Sequence, residues 1–276
     1  MPNCERFRRG KMSSCDQLQE IADKLRADIS VNRLGYVING KKYPRVTTIL
    51  GEINKPQLNA WRVKKAVEMF QTAVLEWKDK DIRVTQDWVD ALAVKAKGEP
   101  DRIAGEAAGI GTAVHSIIEK IMVQLAGNPG KTVQDVDFTG IPGETIPAIE
   151  SWLAWKKSCP WTFGPAELCV WSDVYGYAGK FDGLVHDGKD IALIDWKTSS
   201  NVSGRGYEYQ LAAYAMAILE HTGVEVKTAY AIHVPCEQEE NVEVWRVVDL
   251  VKAFNAFAAA LEIRNAGKLD LMEKIS

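Results

Sequence analysis

The run Ile191-Ala192-Leu193-Ile194-Asp195-Trp196-Lys197-Thr198-Ser199 opens with four apolar residues and closes on an acid, a tryptophan and a lysine. A short apolar run bounded by turn-forming residues reads as a buried strand. Side chains alternate along a strand, so Asp195 and Lys197 share one face and Trp196 takes the other. The stretch before it, GYAGKFDGLVHD (176–187), reads as a second strand, with His186-Asp187-Gly188-Lys189 turning between the two. Pairing through that turn brings Asp182 near Asp195. Two carboxylates and an ammonium then converge at a strand end.

An acid two residues before a lysine is common, and a chain of this composition should hold roughly two by accident. This one holds four: Glu76-Trp77-Lys78, Asp187-Gly188-Lys189, Asp195-Trp196-Lys197 and Glu225-Val226-Lys227. Context separates them. The first lies in a helical stretch, where residues two apart diverge. The second is a turn, and the fourth starts a strand with no acid across a hairpin from it. Only Asp195-x-Lys197 closes an apolar strand with an acid on its neighbour. Paired carboxylates repel and are costly to bury unless a divalent cation neutralises them. Such a cation can polarise a phosphate and acidify a bound water, and a lysine beside it can stabilise the growing charge. From these residues alone, a surface salt bridge between Lys197 and one aspartate explains the grouping equally well.

The rest of the second half is rich in strands. AELCVWSD (166–173) precedes the two strands above. A helix (about 207–221), the strands VKTAYAIHVP and NVEVWRVVDL, and a terminal helix (about 249–265) follow them. The first half reads as mainly helical. A polar arm leads into a short helix around 16–28, and Asn39-Gly40 marks a hairpin between GYVI and KKYPRV. Helices are then expected at about 56–77, 85–97, 100–126 and 144–158, with a polar loop over 128–143. The fold class is α+β, a mixed sheet flanked by helices. A short arm and helix (1–30) would precede a single domain (31–276), whose part 31–160 is mainly helical and whose part 161–276 carries the α/β core.

Bulk properties set the frame. The 276 residues suffice for a core without disulfides. The five cysteines (Cys4, Cys15, Cys159, Cys169, Cys236) form no CxxC pair, so reduced thiols are expected, with Cys169 as core. No apolar run is long enough to span a bilayer. The basic amino terminus lacks the apolar segment of a secretion signal. A cytoplasmic setting is therefore expected, with organellar targeting left open. The net charge of −3 speaks mildly against a nucleic-acid partner. Its distribution speaks the other way: Lys41, Lys42, Arg45, Lys55, Arg62, Lys64 and Lys65 face only Glu52 between positions 41 and 67. A solvated helix face accounts for that field as well as a phosphate contact does.

Four further stretches extend the pattern: Gly111-Thr112-Ala113-Val114-His115-Ser116-Ile117-Ile118-Glu119, Glu167, Gly179-Lys180-Phe181-Asp182-Gly183, and Gln210-Leu211-Ala212-Ala213-Tyr214. A helical His, Gly-x-x-Asp, Asp-x-Lys-Thr-Ser and Gln-x-x-x-Tyr in this order resemble the RecB-like branch of the PD-(D/E)XK nuclease superfamily. The nearest likeness is to phage exonucleases and the mitochondrial genome maintenance exonuclease. Tyr43-Pro44-Arg45-Val46-Thr47-Thr48-Ile49-Leu50, Lys55-Pro56 and Trp61 look like the opening of that group, and the likeness spans about 43–216.

The resemblance implies a restriction-endonuclease-like core and a metal-dependent DNA nuclease. An exonuclease acting on DNA ends in phage or cellular recombination, repair or processing comes first, and a structure-selective endonuclease second. It implies Asp182, Asp195, His115 and the backbone carbonyl of Trp196 as ligands to Mg²⁺ or Mn²⁺, and Lys197 as the catalytic lysine. Gln210 and Tyr214 would contact substrate or brace Lys197, and Glu167 would hold metal-bound water. DNA contacts are expected from Arg45, Thr47, Thr48, Lys55, Trp61, Arg62, Lys65, Thr198 and Ser199, with Trp61, Trp77 and Trp88 shaping the strand's path. Read singly, His115, Gln210, Tyr214 and the tryptophans are also ordinary core residues.

The expected partners are single-stranded or end-containing DNA and a recombination or single-strand-annealing protein, with no membrane. Relatives with an iron–sulfur cluster carry cysteines near the carboxyl end. Nothing here follows Cys236, so no cluster is expected, and without a Walker A pattern no nucleotide either. A non-catalytic module of the same fold, binding DNA or protein, is the rival from another class.

Overall fold

The computed structural model describes residues 13–53, 55–78, 84–126, 138–199, 206–237 and 240–267. The expected polar arm (1–12) and most of the 128–143 loop lie outside them. The chain divides into two compact units, Ile53–Ala113 and the remainder, Met1–Glu52 with Val114–Ser276. No helix among the described residues is long and apolar enough to cross a membrane.

The larger unit is a mixed α+β fold built on a five-stranded sheet. Its strands are β4 (Thr162–Ser172), β5 (Tyr177–His186), β6 (Ile191–Lys197), β7 (Thr228–His233) and β8 (Glu243–Arg246), paired in that order. All neighbours are antiparallel except β6 and β7, which run parallel. A parallel pair needs a crossover, and helix α6 (Tyr207–Thr222) supplies it. Strand β6 has neighbours on both edges, and Ala192 through Trp196 are all buried. Its two faces meet different helices. Trp196 packs edge-to-face on Trp152 and Trp155 of α5 (Ile146–Ser158), at 6.0 and 5.9 Å between centroids. Lys197, on the opposite face, reaches α6.

Helix α6 is buried along most of its length, from Gln210 to Ile218. Helix α7 (Leu250–Ala266) covers it: Phe257 meets the Tyr177 ring at 4.8 Å, while the Tyr177 hydroxyl donates to the Ala213 carbonyl. Gly179 lets α6 approach β5, because a methyl group there would overlap the Tyr214 ring.

A small antiparallel sheet holds β1 (Ile29–Asn32), β2 (Gly35–Ile38) and β3 (Lys41–Tyr43). The β2–β3 turn is Asn39-Gly40, both with positive φ (48° and 80°), as the Asn-Gly pair predicts. Strand β1 falls where the sequence reads as helix and loop. Helix α1 (Ser14–Lys24) stops well short of 28, and Asn32 Oδ1 then accepts from Leu34 and Gly35 N–H to turn the chain back. The front of α1 is set by a reciprocal cap between Ser13 and Asp16. Tyr36, Ile38 and Tyr43 pack on Trp171 and Ala178 of the large sheet, with Cys169 partly buried against them. The region read as mainly helical therefore opens with strands.

Two further boundaries differ from the sequence reading. Strand β4 starts at Thr162 rather than 166, running through Gly164-Pro165. Its pairing with β5 slips by one residue between Phe163 and Ala166, and a proline is tolerated where no ladder bond is needed. Strand β8 spans four residues instead of ten, all exposed at the sheet edge.

The smaller unit pairs α3 (Pro56–Trp77) with the first part of α4 (Gln86–Ala126). Trp77 meets Trp88 at 4.9 Å, and Arg62 pairs with Asp101 at 2.7 Å, so the two helices run antiparallel. The two helices expected over 85–97 and 100–126 are one, continuing through Pro100. Proline removes one hydrogen bond and crowds the preceding turn, which explains why the sequence suggests a break.

The close approach at Gly179 is directly testable. Gly179→Ala should destabilise the chain by about 1–3 kcal/mol, the usual cost of overpacking a filled core. A urea midpoint equal to that of the wild type would show that the Tyr214 ring can give way.

Candidate active site

Four elements of the larger unit converge. Asp182 comes from β5, Asp195 and Lys197 from β6, His115 from the later part of α4, and Gln210 and Tyr214 from α6. The register explains the first pairing. Gly183 stands opposite Ile194, so the next residues along, Asp182 and Asp195, flank the point where the β5–β6 ladder ends.

Asp182 is 8 % exposed and fully engaged. Its Oδ1 lies 3.2 Å from His115 Nδ1, and its Oδ2 accepts from the Trp196 backbone N–H at 2.6 Å. Burial alone would raise its carboxyl, but His115, Lys197 and that backbone amide hold it below the ordinary carboxylate value. Asp195 is 3 % exposed and ion-paired with Lys197. Here burial dominates. Lys197 offsets it only in part, the charge of Asp182 adds to it, and the carboxyl is pushed up to about 6.

Lys197 is held from several sides. Besides Asp195, its Nζ donates to Gln210 Oε1 at 3.2 Å, and Gln210 Nε2 donates to the Tyr214 hydroxyl at 2.8 Å. The Tyr207 ring lies 4.4 Å from the same ammonium. Burial disfavours the charged lysine, yet Asp195 and Asp182 outweigh it and raise its value. Burial likewise works against a charged His115, but Asp182 and then Asp195 raise it. The cluster therefore sets an imidazole and an ammonium against two carboxylates inside the fold.

Glu167 stands across from Asp182 in the β4–β5 register, between the pairs Ala166–Gly183 and Leu168–Phe181. Its φ of 57° is left-handed, a conformation that costs a non-glycine residue about 1–3 kcal/mol. One oxygen each of Glu167 and Asp182 and one ring nitrogen of His115 lie within 4.8 Å of one another. They line a cavity of about 10 Å³, with Glu119 and Trp196 among its other walls. That is the scale of one water. A nitrogen and two carboxylates around such a space could hold a metal ion.

The other expected residues are placed as follows. Asp195 turns to Lys197 rather than joining the Glu167–Asp182–His115 group. Trp196 meets the site through its N–H on Asp182, its ring lying in the α5 aromatic cluster. Ser199 Oγ is 3.0 Å from the Tyr207 hydroxyl, and the Thr198 carbonyl faces Cys236 Sγ. Arg45 donates to the Asn32 carbonyl and covers the Tyr36 ring, while Thr47 and Thr48 are exposed on the short helix Val46–Ile49. Lys55, Trp61, Arg62 and Lys65 belong to the smaller unit. Arg62 is paired with Asp101 and Lys65 with Glu68, so that part of the basic field is largely neutralised internally.

Three residues have no role in the sequence reading. Glu119, one turn after His115, faces the small cavity. Lys180, two before Asp182, pairs with Glu167. Tyr207 flanks Lys197. The spacing of the first two from known positions was the available signal. A second acid–histidine group, Asp173, Glu220 and His221, has its carboxylate oxygens occupied by Lys41, Tyr43, Trp171, Ser172 and backbone N–H groups. It braces the β4–β5 turn.

No family model and no curated protein matches the sequence. Among solved structures the chain is similar to a proposed exonuclease from Eubacterium rectale, with 17% identity and a TM-score of 0.41 over 62% of this chain and 77% of that one. It is also similar to a protein designated SSO0001, with 12% identity and a TM-score of 0.27 over 55% and 73% of the respective chains.

The raised carboxyl has a measurable consequence. With the folded value above the unfolded one, Asp195 favours the folded state while protonated. That contribution is full below about pH 4 and is lost as pH rises through about 6. In the metal-free protein its side-chain ¹³C resonance should titrate near 6, and a midpoint near 4 would contradict the burial argument.

Proposed function

We propose that this chain is a metal-dependent deoxyribonuclease whose site is Asp182, Asp195, Lys197 and His115. The observation that carries the reading is the burial of two carboxylates beside one lysine where the β5–β6 ladder ends. Burying like charges is costly, and a module that merely binds a surface has no use for the arrangement.

The residues fit a divalent cation. His115, Asp182 and Glu167 would hold it, with Asp195 available on release from Lys197. When bound, a divalent cation supplies polarisation of the scissile phosphate and a more acidic attacking water. The chain's own groups do the rest. His115 and the Trp196 amide fix the Asp182 carboxylate. Lys197, held by Gln210, which Tyr214 holds in turn, presents its ammonium to the charge that develops on the phosphate.

Action on DNA ends, in recombination, repair or processing, follows from the resemblance of the motif series. A partner protein of recombination or strand annealing belongs to the same reading. So do the assignment of 31–276 as one nuclease domain and a cytoplasmic setting.

End-labelled linear and circular DNA, incubated with the chain and Mg²⁺ or Mn²⁺, tests the reading. Linear DNA should be degraded from its ends and circular DNA spared, with chelation stopping the reaction. Lys197→Ala and Asp195→Ala should each lower the rate by about 10²-fold or more while leaving the fold intact. Cleavage that survives chelation or either substitution would reject the assignment. His115→Ala should raise the metal concentration for half-maximal activity by roughly 10- to 100-fold. It should also diminish the rise in melting temperature that Mn²⁺ produces. An unchanged metal titration would return His115 to the core.

A further inference from the structure

We propose that Tyr207 is a positioning residue that keeps the Lys197 ammonium at the site once Asp195 is engaged elsewhere; this rests on the nuclease reading above. In the structure the amine meets the Asp195 carboxylate, Gln210 Oε1 at 3.2 Å and the Tyr207 ring, with Nζ over that ring at 4.4 Å from its centroid. The carboxylate is the strongest attraction of these, and it is the one the proposed reaction takes away. An Asp195 that turns to a divalent cation no longer faces the amine. The lysine side chain is only 13 % exposed, so water offers little in exchange. A neutral amide oxygen and a ring face are what remain.

A ring face suits that task. Its quadrupole attracts a cation, and more strongly where water is excluded. It brings no negative charge of its own, so the ammonium keeps its full charge for a phosphate oxygen. A second carboxylate in the same place would hold the amine harder and compete with the phosphate for it. The ring is itself held: its hydroxyl is 3.0 Å from Ser199 Oγ, two residues beyond Lys197, which ties the start of α6 to the end of β6 around the amine. Tyr207 opens α6, and Gln210 and Tyr214 follow at steps of three and four, the spacing of one helix face. One stripe of the helix therefore serves a single lysine, with Tyr207 and Gln210 at its ammonium and Tyr214 behind Gln210. Packing alone would be met by an aliphatic side chain at position 207. Holding a cation there would not.

The test has one arm without catalysis. In protein carrying ¹³C at the lysine ε carbons, with chelator present, the Lys197 ε-proton resonance, assigned by its loss in Lys197→Arg, should lie upfield of ordinary lysine. Tyr207→Leu should return it to the ordinary position. In Asp195→Asn the displacement should persist, because the ring holds the amine without the carboxylate. An ordinary lysine position in Asp195→Asn, with the fold intact by circular dichroism, would overturn the proposal. The second arm is kinetic, needs changes at position 207 alone, and decides the matter if Asp195→Asn does not fold. Tyr207→Leu should lower kcat on linear DNA roughly 5- to 30-fold, with KM and the metal concentration for half-maximal rate unchanged. Tyr207→Phe keeps the ring and should restore most of the rate. Equal kcat for wild type and Tyr207→Leu would sink the idea, as would a loss that Tyr207→Phe does not recover. The two readings fail separately. A wild type that cuts no DNA, while Asp195→Asn keeps the displaced resonance, loses the nuclease assignment and leaves the Tyr207 anchor standing. A chain that cuts DNA equally well without the ring does the reverse.

Discussion

The charge cluster around β6 is the constraint to which much of the larger unit answers. Asp182 and Asp195 are both nearly inaccessible, and unpaired buried carboxylates cost several kcal/mol each. Each is compensated by a different route. Asp182 receives a backbone N–H from the very strand that carries Asp195, plus the imidazole of a distant helix. Asp195 depends on a single lysine, and that lysine depends on Gln210 and Tyr214 for its position. Tyr214 sits where it does because position 179 has no side chain. A line of dependence thus runs from a glycine in β5, through α6, to the carboxyl whose affinity for protons is most disturbed.

The asymmetry between the two aspartates is chemically useful. The same interior that raises Asp195 leaves Asp182 low, because only Asp182 has both an imidazole and an amide. On the nuclease reading, a carboxylate that stays charged serves as a ligand. Environments that push neighbouring acids apart are a usual mark of acid–base work. The strained backbone of Glu167 lies directly across from Asp182. Strain that survives folding at such a place is held by its surroundings, here in part by the ion pair with Lys180.

Much of this geometry was legible because it is local. Two-residue alternation along Ile191–Lys197 separates Trp196 from Asp195 and Lys197, and the structure puts them against different helices. The helix over 56–77 was readable to the residue from its proline and its length. What the sequence hid depends on long-range contacts. The fate of Pro100 is one case, since local chemistry predicts a break there. The entry of β4 through Pro165 depends on a slip against β5 that no local signal reports. Strand β1 forms because a neighbour exists to pair with it, not because its own residues demand it. At the site, that Asp195 faces Lys197 rather than the His115 group is a matter of rotamer and burial, which alternation does not specify.

Charge pairing also limits how nucleic acid can be recognised. The chain carries a net charge of −3, and its densest basic stretch spends several of its cations on Asp101, Glu68 and a backbone carbonyl. A protein so balanced has little long-range field with which to gather phosphates. On the nuclease reading, its hold on a strand has to come from short-range terms, chief among them a phosphate bridged by a bound cation at the carboxylates. Reaching carboxylates this buried requires a strand that is locally single and free to bend into place. The lack of net positive charge, which at first argues against a nucleic-acid partner, thus becomes an argument about its form.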